Sequence, residues 1–198
     1  MPNPWEQIAA EMTSLLRGHG FKRSGLRFTD VRDGGVVRQV SLLKFRWNVP
    51  GHQRFQIMLS LYLATGDQGE FTFGPSPRRY SLVFEKSSGY LRGDENFLYV
   101  VPPSLPDSSF LAQLRRDLTD DILPFLDCCT TTDMVIATLE QENQKVGRNI
   151  FSITLAVALA RLGRIEESRL HFRKSVGDRE AIRSLAGQYG ISLDRSPV

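Results

Sequence analysis

The sequence predicts an α+β protein: an antiparallel meander sheet covered by helices on one face, followed by an all-helical C-terminal segment. Helical periodicity opens the chain, period-two alternation dominates residues 26–101, and helical periodicity returns after Pro106. Strands grouped together and then helices grouped together indicate segregated layers rather than βαβ units. The short connections between the strands favour antiparallel pairing.

Asn3-Pro4 suits a helix start, because Asn caps and Pro is tolerated in the first turn. Trp5, Ile8, Ala9, Met12, Leu15 and Leu16 then form one apolar stripe, so a helix is expected over about residues 4–18, stopped by Gly18 and Gly20. Leu26 to Arg32 reads as a strand running into the turn signal Asp33-Gly34-Gly35, and Val36 to Trp47 as a longer one. Phe55, Ile57, Leu59, Leu61 and Leu63 alternate with more polar neighbours and share one strand face. Gly66 to Pro77 reads as a loop, with strands at Tyr80–Glu85 and Phe97–Val101. Asp107 or Ser108 can cap the next helix, whose broad apolar face runs from Phe110 to Leu126, and Pro124 should kink or end it. Helices follow from Thr132 to about Gln144, from Ile150 to Leu162 and from Ile165 to Val176, and Asp178 caps a short last one. The expected division is an α+β domain over 1–146 and a helical hairpin with a terminal helix over 147–198.

The composition, 41% hydrophobic and 24% charged, is that of a globular protein and excludes disorder and collagen-like repeats. The formal charge of +3 is unevenly placed: +5 over 1–60, −1 over 61–104, −5 over 105–146 and +4 over 147–198. Opposite local patches are therefore expected rather than one basic surface. No signal peptide is expected, and no window approaches the ~20 apolar residues of a membrane span. Cys128 and Cys129 are adjacent, which disfavours a bridge between them and suits two thiols in the cytoplasm.

Gly20-Phe21-Lys22-Arg23-Ser24-Gly25-Leu26-Arg27-Phe28 follows the first helix and precedes a charged hairpin. This G-F-K-x-x-G-x-x-F run, with a helix before it and a meander and closing helix after it, resembles an uncharacterised bacterial family of domains of unknown function over about residues 5–126. The resemblance implies a small antiparallel sheet under helices and carries no activity. Leu155, Ala156, Leu159, Gly163-Arg164, Glu166-Glu167 and Phe172 are similar to a single tetratricopeptide-type helical hairpin over 152–176. Ser152, Ser168 and Ser175 depart from that pattern, and one unit falls short of the ~3 that a solenoid needs.

Recognisable catalytic chemistry is missing. His19, His52 and His171 are far apart and show no metal-ligand spacing, so neither a metal nor a cofactor is expected. No G-x-S-x-G or phosphate-binding loop occurs. Asp94-Glu95 reads as a turn and Asp120-Asp121 as a solvated helix flank, which leaves a carboxylate-based hydrolase as a remote alternative. Lys44-Phe45-Arg46-Trp47 and Arg78-Arg79-Tyr80 mix bases with aromatics, as nucleic-acid-binding sheets do. Strand alternation would, however, send either the aromatic or the basic set of residues 44–47 into the core, and no RNP-type motif is present. The expectation is therefore a cytoplasmic protein that binds one protein partner without catalysis, immunity-like or accessory. A nucleic-acid-binding module is the first alternative, and no membrane is involved. Phe71, Phe73, Arg78 and Arg79 are the expected contact residues, because aromatics and arginines anchor interfaces.

Overall fold

The computed structural model describes residues 3–33, 35–49, 53–64, 80–102 and 107–193. The fold is α+β with an antiparallel sheet, as expected. Helix α1 spans Pro4–Leu16. The strands are β1 Lys22–Ser24, β2 Arg27–Val31, β3 Val36–Lys44, β4 Gln53–Ala64, β5 Tyr80–Ser87 and β6 Tyr99–Val101. They form one six-stranded sheet in the order β1-β2-β3-β4-β5, with β6 paired to β4. Helices α2 Ser108–Arg116, α3 Leu123–Asp127, α4 Thr132–Val146, α5 Ser152–Arg161, α6 Ile165–Lys174 and α7 Arg179–Gly187 follow.

The caps anticipated from the sequence are present. The Asn3 side chain accepts from the Trp5 N–H at 3.1 Å, and Asp107 accepts from the Phe110 N–H at 2.8 Å. Asp178 caps α7, as expected, and Thr131, not singled out in the sequence, caps α4. Gly20, at φ 91°, ends the 3-10 turn Arg17–His19 that continues α1. Lys22–Ser24, to which the sequence alone assigns no element, is a strand that pairs with β2 across the Gly25 turn. Pro124 does not end its helix, which continues to Asp127. The preceding turn, Asp117–Ile122, is a π-helix in which the Leu123 N–H donates to the Leu118 carbonyl. The wider turn accommodates a ring that would clash with the Asp120 carbonyl in a regular α-helix.

Contacts divide the chain into two compact units, residues 1–32, 37–60 and 85–129 in the first and 33–36, 61–84 and 130–198 in the second. In the first, α1, α2 and α3 cover one sheet face. Trp5, Ile8, Met12 and Leu16 of α1, Phe28, Val40, Phe55 and Ile57 of the sheet, and Leu114, Leu118 and Leu126 are all buried. Phe55 is central: its ring stacks on Tyr99 at 4.8 Å and meets Trp5 edge-on at 5.7 Å. In the second unit the hairpin of α5 and α6 and helix α7 bury Ala156, Phe172, Ile182 and Ala186 together. The alternation expected along β4 holds as far as Leu59. Beyond it Ser60, Tyr62 and Ala64 are buried as well as Leu61 and Leu63, so this end of the strand is covered on both faces.

The core of the first unit contains a charge. Arg38 on β3 is fully buried. Its Nε donates to Asp30 Oδ2 at 2.8 Å, and its Nη1 donates to the Leu126 carbonyl at 2.7 Å and to Asp127 Oδ1 at 3.0 Å. Its Nη2 donates to the His19 carbonyl at 3.3 Å, and its guanidinium lies 5.1 Å from the Phe21 ring centre. Arg32 adds a second donor to Asp30 Oδ2 at 2.6 Å. Gly20 closes this cluster, because a Cβ there would sit 2.8 Å from Asp30 Oδ1.

Removing one member of a buried ion pair leaves the other charged and unsolvated. Arg38→Met is therefore expected to cost about 3–5 kcal/mol in urea unfolding, and the double variant Asp30→Leu/Arg38→Met to cost less than Arg38→Met alone.

Candidate functional site

Among the described residues, no element covers one end of the first unit's sheet on the face opposite the helices. Strand pairing places the side chains there. Arg27 pairs with Ser41, and Lys22 with Thr29. Arg54 pairs with Val100. Because Phe28, Val40, Leu42, Phe55 and Tyr99 point into the core, their neighbours Arg27, Ser41, Leu43, Arg54 and Val100 point the other way. Leu43 and Val100 are half exposed, and Val49 at the adjoining turn is also exposed.

That turn holds the dominant feature. β3 ends at Lys44, and the chain reverses with the Asn48 N–H donating to the Phe45 carbonyl at 3.3 Å. The Asn48 amide then mimics a strand partner for Arg54: its Nδ2 donates to the Arg54 carbonyl and its Oδ1 accepts from the Arg54 N–H, both at 2.7 Å. Trp47 projects from the tip of this pinned turn with 85% of its surface exposed. Holding an indole in water forgoes about 25 cal/mol for each Å² of apolar surface. The expectation that alternation buries one half of residues 44–47 is corrected, because the strand stops before it applies. Phe45 is half-buried, while Lys44, Arg46 and Trp47 are all exposed. The Lys44 ammonium lies 4.3 Å from the ring centre of Trp5.

The charges on this face are not used internally. Among the described residues, Lys22, Arg27, Arg46 and Arg54 form no ion pair, whereas Arg23, Arg32, Arg92, Arg115 and Arg164 each hold a carboxylate. Glu85 is the acidic counterpart on the same face, where it accepts from Ser60 Oγ at 3.4 Å. The surface is thus basic around an apolar centre.

The carboxylates singled out in the sequence have local tasks. Asp94 accepts from the Asn96 N–H and shapes its turn, and Glu95 pairs with Lys86. Asp120 accepts from the Thr119 hydroxyl, and Asp121 accepts from Arg92 Nε at 2.5 Å. The buried carboxylate is Asp117, on the π-turn and 2% exposed, which the helical pattern did not distinguish. Its Oδ2 accepts from the Tyr99 hydroxyl at 2.6 Å, and its Oδ1 accepts from Gln113 at 2.5 Å and is ion-paired with Arg92. Burial and the bond to Asp117 push the Tyr99 phenol well above its usual pKa. Burial opposes the Arg92 charge, but the bonds to Asp117 and Asp121 outweigh it and raise its pKa. Both oxygens of Asp117 are occupied, so this cluster serves as a structural clamp and presents no base to a substrate.

The expected contact residues Phe71, Phe73, Arg78 and Arg79 lie outside the described residues. Tyr80, immediately after them, is buried at the start of β5. Sequence reading found the Trp47 segment but not its partners, since Leu43, Arg54 and Val100 come from three strands. Among the described residues, no group of three His, Cys, Asp or Glu converges to hold a metal ion, and no single helix is long and apolar enough to cross a membrane.

Acrylamide should quench Trp47 emission efficiently and leave Trp5 shielded, so Trp47→Phe should remove nearly all of the quenchable, red-shifted fluorescence. Trp47→Ala should change unfolding stability by no more than about 0.5 kcal/mol, and Asn48→Ala should lower it by about 1 kcal/mol through loss of the turn clamp.

No family model matches this chain, and the searches of curated proteins and of solved structures likewise gave no match.

Proposed function

We propose that this is a cytoplasmic protein that works by binding one protein partner, without catalysis, in the manner of an immunity-like or accessory protein. The observation that carries the reading is Trp47, 85% exposed at a turn whose Asn48 is hydrogen-bonded to Arg54. A pre-ordered aromatic loses little entropy on binding, and aromatic and arginine side chains supply most hot spots. Leu43 and Val100 give it an apolar floor, and Lys22, Arg27, Arg46 and Arg54 a basic surround. The complementary partner presents an apolar pocket within an acidic rim. Opposite charge would speed encounter, and the indole would set the residence time.

Nucleic acid would use the same bases and the same indole. The aliphatic side chains of Leu43, Val49 and Val100 favour a protein, since base recognition uses aromatic stacking platforms. The resemblance over residues 5–126 belongs to this proposal only as a likeness of architecture.

A photo-crosslinking benzoylphenylalanine at position 47, introduced in living cells, should capture one defined protein, and Arg54→Glu or Leu43→Asp should abolish the capture. In purified form, Trp47→Ala should weaken that complex by about 2 kcal/mol or more. Capture of RNA alone, or equal capture with Arg54→Glu, would overturn the reading. Titration with single-stranded RNA should show no steeply salt-dependent binding.

A further inference from the structure

The Asn48 clamp fixes the direction of the backbone groups of β4 and β6. The Arg54 N–H and carbonyl are both bonded to the Asn48 amide, and the carbonyl also accepts from the Phe45 N–H at 3.4 Å. Both groups therefore point toward β3. Successive residues of a strand turn their backbone groups to opposite sides, so Gln53 and Phe55 point away from β3 and bond to their partners on β6, Val101 and Tyr99. Val100 stands opposite Arg54, in a pair that exchanges no backbone bonds. Its own N–H and carbonyl turn outward from β4, and among the described residues neither has a partner.

An outward N–H and carbonyl on one residue are half of a ladder step, which an added strand completes. On β5, by contrast, the Val83 carbonyl is occupied by the Thr154 hydroxyl, which donates to it at 3.0 Å. Tyr99, Val100 and Val101 include none of the charges or prolines that blunt an exposed edge. Pro102 follows and lacks an N–H, so Val100 is the last donor on this edge. So short a ladder binds weakly by itself, and the side chains around it must supply most of the affinity.

Those side chains define the occupant. In a pair without backbone bonds the side chains lie close together, and those of Val100 and Arg54 share the face opposite the helices with Leu43. An added strand places one residue directly beside Val100 on this face, where an apolar β-branched side chain packs best. The residues two before and two after it lie on the same face. Neighbouring strands are about 4.8 Å apart, so a carboxylate at either position is within reach of the Arg54 guanidinium, two strands away. Arg54 forms no ion pair among the described residues and is available to it.

We propose that the protein partner docks by strand addition: an extended segment pairs with the outer edge of β6 at Val100, with an apolar residue beside Val100 and an Asp or Glu two positions along against Arg54. Such docking rests on the protein-binding role of the Trp47 face and adds the shape and chemistry of what binds there.

The free chain is followed by amide hydrogen exchange. The Val100 N–H should exchange at least about tenfold faster than those of Tyr99 and Val101, which face β4. The chain carrying benzoylphenylalanine at position 47 is then crosslinked in cells with and without Val100→Pro. Proline removes an N–H that faces away from β4, which an edge strand tolerates. The variant should keep the protection of Tyr99 and Val101 and lose capture of the partner about tenfold or more. Val100→Ile, which keeps the N–H and the branched shape, should capture within about twofold of the unsubstituted position. If Val100→Pro loses the protection of its neighbours, a backbone ester at Val100, which removes only the N–H, takes its place in the same comparison. A protected Val100 amide in the free chain, or capture undiminished by loss of the N–H, would overturn strand addition and leave the protein-binding reading standing. Capture of no protein by the chain with Val100 intact would overturn both.

Discussion

The bond between Arg38 and Asp30 is the constraint on which the first unit depends. A guanidinium removed from water is tolerated only when its donors are met, and here a carboxylate and the backbone carbonyls of His19 and Leu126 meet them. Those carbonyls belong to the turn after α1 and to α3. The side chain that satisfies itself therefore also ties two sheet strands to segments far away in the chain. Gly20 belongs to the same constraint: it leaves space for Asp30 and provides the left-handed turn that brings the chain back to the sheet. A cluster of this kind adds little net stability compared with apolar packing. It does specify which arrangement of helix ends and strands is acceptable, because every alternative strands a charge.

Polar groups elsewhere fall into two sets. Asp117, Tyr99, Gln113 and Arg92 saturate one another, so the π-turn has a structural role despite its unusual geometry. Among the described residues, Lys22, Arg27, Arg46 and Arg54 form no ion pair, and Ser152 Oγ and His171 Nδ1 have no hydrogen-bond partner. Asn48 ties the Trp47 turn to Arg54.

Much of this was legible along the chain. The caps at Asn3, Asp107 and Asp178, the apolar stripe of α1 and the alternation of β4 as far as Leu59 are local signals, and local physics enforces them. The π-turn was not legible, because Asp120-Asp121 reads as an ordinary solvated helix flank and Asp117 carries no signal of its own. Its identity comes from Pro124 downstream and from Arg92, which reaches it across the fold. Trp47 looked like a strand residue because Lys44 to Trp47 continues the β-rich run. That the strand ends at Lys44 depends on Asn48 finding Arg54 on the neighbouring strand.

By itself the sequence determined the α+β class, the element order and the helix starts, since these depend on periodicity and on residues within a turn of one another. Tertiary structure alone decided which polar groups are satisfied. Arg38 and Arg54 are the same residue type on adjacent strands, yet one is buried against a carboxylate and two carbonyls and the other is exposed and forms no ion pair among the described residues. His171 and Ser152 likewise carry no signal of their own in the chain. Whether a donor or an acceptor has a partner depends on groups brought close by folding, and a periodicity along one strand or helix does not record what lies across from it.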